Sequence, residues 1–225
     1  GHFSEKKFLL HFSNKNQGFL CASRHERKWI REYDENLALI FEGESIQDMY
    51  ERFGKFHYEK YKASKLVNLT SVVDTDKNNY SIIKEKGVLM CEKYQDIVDK
   101  VDAVSIVTPT VTHYKLAKYF LDNKIHVLLE KPMTETVAQA KKLNAIARKN
   151  KCVLQIGHLE QFNPAIRKLR KSSCKPQFIE VHRLCQFNPR ANDVDVVLDL
   201  MIHDIDIVLS LVNKKIESIE VSGKK

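Results

Sequence analysis

Glycine, proline and cysteine are all scarce: 7, 5 and 5 residues in a chain of 225. The cysteines (Cys21, Cys91, Cys152, Cys174 and Cys185) are odd in number, scattered, and form no C-x-x-C pair. That pattern excludes a disulfide framework and a thiolate zinc site. Cys152, inside an apolar run, reads as a small core residue. No stretch reaches the roughly 18 consecutive apolar residues of a membrane span. A charged-then-apolar leader with a small-residue cleavage site is missing too, so the expected location is the cytoplasm, with no membrane partner. Also lacking is a Gly-x-Gly-x-x-Gly turn, which needs its outer glycines five apart, whereas Gly43 and Gly54 are eleven apart.

What is present is ordinary for a water-soluble chain: 43% hydrophobic, 29% charged, net charge +8. Its densest basic cluster is Arg167, Lys168, Arg170, Lys171 and Lys175. No aromatic residues interleave there, as they do on a platform that stacks single-stranded bases. The cluster reads as a solvated helix face, and nucleic acid is not an expected partner.

From about Gly54 onward, strand and helix patterns alternate. Strands are expected at Leu66–Val73, Val88–Met90, Ala103–Val107, Ile125–Leu129 and Cys152–Ile156. Between them come helices at Asn78–Lys86 (closed by Gly87), Tyr94–Lys100, Thr112–Asn123 with Thr112 as cap, and Thr134–Asn150. In the last helix Val137, Ala140, Leu143 and Ala147 mark the buried stripe. Short apolar strands alternating with amphipathic helices mean βαβ units, an α/β fold with a doubly wound parallel sheet. After Gly157 the pattern changes to a helix near Asn163–Arg170, a strand near Phe178–Leu184, a mostly buried helix over Asp195–Val212 and a strand near Ile216–Ser222. The expected organisation is an atypical segment over 1–48, a nucleotide-binding domain over 49–157 and an incomplete α+β domain over 158–225. The chain begins Gly-His, its first methionine is Met49, and residues 1–48 show one possible strand at Leu37–Phe41.

Four sets of residues can carry chemistry. Asp74 closes a strand 20 residues after Gly54, where dinucleotide folds place an acid on the adenosine ribose; a solvated turn aspartate is the other reading. Thr108-Pro109-Thr110, with His113, ends the most apolar strand and opens a helix, so its amides can face an anion or serve as a plain turn. Glu130-Lys131-Pro132 sets an ammonium at the carboxyl end of a strand, where open α/β sheets collect ligands, and Pro132 biases Lys131 away from helix. Asp199 and His203 are four apart and share a face on an α-helix. They suit general acid–base work or a satisfied core pair. Asp204 and Asp206 crowd nearby, yet no second histidine or cysteine sits at ligand spacing, so no metal is expected.

Taken in order, Val72-Val73-Asp74, Val101–Thr110, His113, Glu130-Lys131-Pro132, Gly157-His158, Phe162-Asn163-Pro164 and Asp199-x-x-x-His203 resemble the glucose–fructose oxidoreductase / inositol dehydrogenase / MocA family. The resemblance runs from about Gly54 to Gly223, and leans toward the branch holding UDP-N-acetylglucosamine 3-dehydrogenases. It implies a Rossmann-type sheet, NAD rather than NADP, and hydride transfer to or from a sugar or nucleotide-sugar hydroxyl carbon. In that reading Lys131, Asp199 and His203 are catalytic. Gly54, Asp74, Thr108, Pro109, His113, Glu130 and Lys131 bind cofactor, and His158 and Asn163 meet substrate. The family's first strand, its glycine turn and its large C-terminal sheet find no match, and that sheet is where a homo-oligomer would form. A non-catalytic member that keeps the scaffold is the alternative.

Overall fold

The computed structural model describes residues 7–13, 35–41, 55–75, 80, 87–172, 176–183, 195–212 and 214–222. Gly43, Gly54, Gly223 and all of the expected 78–86 helix except Tyr80 lie outside them. The chain divides into two compact units. One comprises Ser23–His158 and Cys185–Ile202; the other comprises Gly1–Ala22, Leu159–Leu184 and His203–Lys225.

The first unit is built on six parallel strands: β2 (Glu35–Phe41), β3 (Val67–Val73), β4 (Leu89–Cys91), β5 (Ala103–Val107), β6 (His126–Leu129) and β7 (Leu154–Ile156). Their spatial order is β4-β3-β2-β5-β6-β7. Every neighbouring pair is parallel. The chain therefore winds outward from β2 through β3 to β4, then returns to β5 on the other side of β2. That reversal falls between β2 and β5, the kind of position at whose carboxyl ends doubly wound sheets bind ligands. The possible strand at Leu37–Phe41 is thus present, beginning two residues earlier. β2 lies inside the 1–48 segment, and it joins the two halves of the sheet.

All five residues of β5 are buried, so this strand is apolar at every position but Ser105 and its limits match the sequence. Helix α1 (Lys55–Ala63) packs Tyr58 with Leu69, Val72 and Val107. Helices α2 (Thr110–Asp122) and α3 (Val137–Asn150) join a larger core with Val104, Ile106, Val127 and Leu129, filled by Phe120, Leu116, Leu121 and Leu143. α3 begins later than expected, because Thr136 and Gln139 form a reciprocal capping box. Val137 consequently sits in the first turn, 72% exposed, and leaves Leu143 and Ala147 as the buried stripe. α2 begins earlier than expected. Pro109 is its cap, and Thr112 lies inside, its hydroxyl bonded to Thr108 Oγ1 and the Pro109 carbonyl.

The second unit holds an antiparallel pair, β1 (Lys7–Ser13) with β8 (Lys215–Ser222), plus α4 (Pro164–Lys171) and α5 (Ile202–Val212). The strand expected at Phe178–Leu184 does not form over residues 178–183. No described ladder offers it a partner, and Phe178 stands 76% exposed. The expected buried helix is only half-buried, with Val208 its one fully buried residue in α5. Asp204 is held by the Arg183 guanidinium at 2.7 and 2.7 Å, and Asp206 accepts from Gln161. Among the described residues no helix is long and apolar enough to cross a membrane.

Phe120 is fully buried, so Phe120→Ala should lower stability by ~3–5 kcal/mol. Val137→Ala, at an exposed position, should stay within ~0.5 kcal/mol. Urea denaturation of the two variants measures both, and equal costs would displace Phe120 from the core.

Candidate functional site

Three loops at the carboxyl ends of β5, β6 and β7 carry most of the expected site residues in the first unit. β6 ends in Glu130-Lys131-Pro132, with a cis bond between Lys131 and Pro132. The Lys131 ammonium donates to the backbone carbonyl and to Oδ1 of Asp199, each at 2.8 Å. The two side chains are 15% and 30% exposed, so solvent screens this ion pair only partly. An ammonium has three N–H donors and Asp199 takes two of them.

Asp199 is presented by a π-helical turn, Val197–Met201, whose entry is capped by Asp195 Oδ1 accepting from the amides of Val197 and Leu198. Such a turn closes i→i+5 hydrogen bonds. His203 is the second residue of α5 and falls in the other unit.

Glu130 is buried, and its carboxylate is the most enclosed acid of these loops. His57, from α1, donates through Nε2 to Glu130 Oε1 at 3.0 Å. The opposite ring nitrogen lies 3.0 Å from Ser105 Oγ in β5 and 3.5 Å from the Tyr61 hydroxyl. Loss of solvent around that hydroxyl, reinforced by the Glu130 charge and opposed by a hydrogen bond with Ser105, pushes Tyr61 well above the ordinary tyrosine range. Gly157 is needed on the far side. A Cβ there would lie 2.7 Å from Glu130 Oε2 and 2.8 Å from Oε1.

His113 is buried between two of the loops, Nδ1 at 2.8 Å from the Pro132 carbonyl and Nε2 at 2.8 Å from the Thr108 carbonyl. It ties together the backbone of the two loops that hold Thr108-Pro109 and Lys131-Pro132. Two carbonyl acceptors favour a protonated ring, but burial outweighs them, and the group sits below its ordinary 6.5. Asp74 is 4% exposed just past β3, its amide bonded to the Cys91 carbonyl at 2.9 Å. It is a buried strand-end acid and not a solvated turn. His158 follows Gly157 at the end of β7. Asn163, in the second unit, caps α4: Oδ1 accepts from Ala165 at 3.0 Å and Nδ2 donates to Glu160 at 3.1 Å. Of the basic cluster, Arg167, Lys168 and Lys171 are exposed on α4, while Arg170 bonds Ser210.

Sequence reasoning passed over His57, Ser105 and Tyr61. One signal was available, since a serine in the middle of an otherwise apolar buried strand needs a hydrogen-bond partner.

Residues 50–158 match the model of the oxidoreductase family described by its NAD-binding Rossmann fold. UDP-N-acetylglucosamine 3-dehydrogenase of Acidithiobacillus ferrooxidans is 38% identical over 162 residues, 70% of this chain and 50% of that protein. The solved structure of that dehydrogenase, GnnA, superposes with a TM-score of 0.70 at 34% identity, covering 80% of this chain and 57% of the other. GenD2 from gentamicin A biosynthesis, solved in complex with NAD, gives a TM-score of 0.53 at 25% identity over 61% of this chain and 38% of that one. The chain spans about half the length of the curated relatives it matches.

His113 sets a sign for the pH dependence. Its folded form releases the proton more readily than the unfolded chain, at 6.5, so acid favours unfolding. Stability should be full above pH 6.5 and fall as pH drops below it, by up to about 1.4 kcal/mol per pH unit until the folded form also protonates. His126, lowered by burial as well, adds in the same direction. Urea midpoints between pH 7 and 5 should therefore slope less in His113→Gln than in the parent chain. Equal slopes would remove His113 as a source.

Proposed function

Because residues 50–158 belong to the oxidoreductase family with an NAD-binding Rossmann fold, we propose that this chain moves a hydride between a sugar or nucleotide-sugar hydroxyl carbon and NAD. The observation that carries the reading is the Lys131 ammonium, fixed by Asp199 at the mouth of the parallel sheet. The residues at the sheet fit a dinucleotide: the strand order reverses beside β5, and Asp74 stands at the end of β3. The Asp74 carboxylate would accept from the adenosine ribose hydroxyls and repel a 2′-phosphate, which supports NAD over NADP. When bound, the nicotinamide supplies the hydride acceptor.

The chain's own residues then divide the work. Lys131 donates a hydrogen bond to the reacting hydroxyl and stabilises the alkoxide character that develops as hydride leaves. Asp199 orients that ammonium and contacts substrate. His203 receives the hydroxyl proton, a role it takes from its place in the Asp-x-x-x-His motif, suited by imidazole's titration near neutrality. Thr108, Pro109, His113 and Glu130 shape the cofactor side, a part that Gly54 takes from the sequence alone, and His158 and Asn163 the substrate side. The relative named UDP-N-acetylglucosamine 3-dehydrogenase supports a nucleotide sugar as substrate.

Titration with NADH, followed by nicotinamide fluorescence, should show saturable enhancement, with NADPH weaker. No enhancement up to ~1 mM would leave the scaffold without its cofactor, the outcome expected of a non-catalytic member. In a nucleotide-sugar oxidation assay Lys131→Ala should lose ~10²-fold or more in kcat, and unchanged turnover would strip the lysine of its role.

A further inference from the structure

The Glu130 carboxylate does not touch the Lys131 ammonium; that group is occupied by Asp199. Glu130 instead turns back toward the sheet and meets the ring of His57, 73 residues earlier in the chain. An ionised carboxylate accepts only, so the His57 nitrogen facing it carries the proton. The other ring nitrogen is then free to accept from the Ser105 hydroxyl at 3.0 Å. The Tyr61 ring packs edge-on against the imidazole, centroids 5.8 Å apart, and stops it from swinging. Gly157 leaves only the space the carboxylate fills. Oε2 of Glu130 lies 3.4 Å from the Lys131 amide, so wherever the carboxylate is held, the backbone of Lys131 is held with it.

We infer that His57 is a positioning residue of this site: by fixing the Glu130 carboxylate from beneath, it sets the backbone from which Lys131 reaches the reacting hydroxyl. The inference rests on the proposed role of Lys131. α1, which presents His57, lies in the chain between β2 and β3, so a helix of the first crossover would tune a lysine at the end of a different strand.

Two amides separate positioning from simple packing. Glutamine places its N–H₂ where His57 Nε2 stands and can keep the bond to Glu130; asparagine reaches only as far as Nδ1 and keeps the Ser105 side alone. The intact 225-residue chain and its variants are treated with an amine-acetylating N-hydroxysuccinimide ester. Modification of Lys131 is followed by mass spectrometry against the exposed Lys142. His57→Gln should stay within about two-fold of the parent, while His57→Asn should acetylate Lys131 at least about five-fold faster with Lys142 unchanged. Gly157→Ala, which leaves His57 in place and crowds the carboxylate, should reproduce the asparagine result, and it decides the matter if His57→Asn does not fold. Equal Lys131 rates in the parent, the amide variants and Gly157→Ala overturn the inference, as does a glutamine variant that behaves like asparagine. NADH titration of the parent chain is read separately. Failure there defeats the dehydrogenase reading, whereas the acetylation rates still report whether His57 governs Lys131.

Discussion

Charge buried at the end of a sheet must be met by a donor, and the arrangement around Glu130 follows from that requirement. The acid is drawn in at the carboxyl end of β6, where leaving it unpaired is costly. α1 brings the His57 N–H, β5 gives up one apolar position to Ser105 so the imidazole has a second partner, and β7 ends in the glycine that admits the carboxylate. Four elements are thereby tied to one side chain. The Lys131 loop continues from that arrangement, and its ammonium is secured separately, from a π turn distant in sequence.

Much of this was legible in the residues, for physical reasons that differ by element. β5 could be delimited because it is buried along its whole length and apolar at both ends, its single polar residue, Ser105, lying in the middle. The ends of α2 and α3 were misplaced because the start of a helix is decided by which oxygen captures the first free amides. Thr136 with Gln139 outcompetes Thr134, and Pro109 caps α2 three residues ahead of Thr112. Glu130, Lys131 and Asp199 stood out as charged residues in or beside apolar runs. His57 did not, since its partners lie 48 and 73 residues away and nothing near it in sequence announces them. The 178–183 stretch failed as a strand because apolar alternation expresses a preference that only a hydrogen-bonding neighbour can realise.

Lys131 is also prepared differently from a solvated surface lysine. Two of its three N–H bonds are committed, to a carbonyl and a carboxylate of the same residue, so the direction of the third follows from tetrahedral geometry. An ammonium oriented before its ligand arrives avoids the reorganisation that a mobile lysine undergoes during reaction.

The position of β2 has a bearing on how the sheet comes together. It is the earliest of the six strands to leave the ribosome, yet it ends up in the interior, flanked by β3 and by β5. During synthesis one side of β2 can zip onto β3 soon after, while the other waits for a segment more than sixty residues downstream. Without β5, β2 would leave one edge of the sheet unpaired, and an open edge invites pairing with other strands. Joining β2 to β5 closes a much longer stretch of chain than joining it to β3, and the longer closure costs more chain entropy.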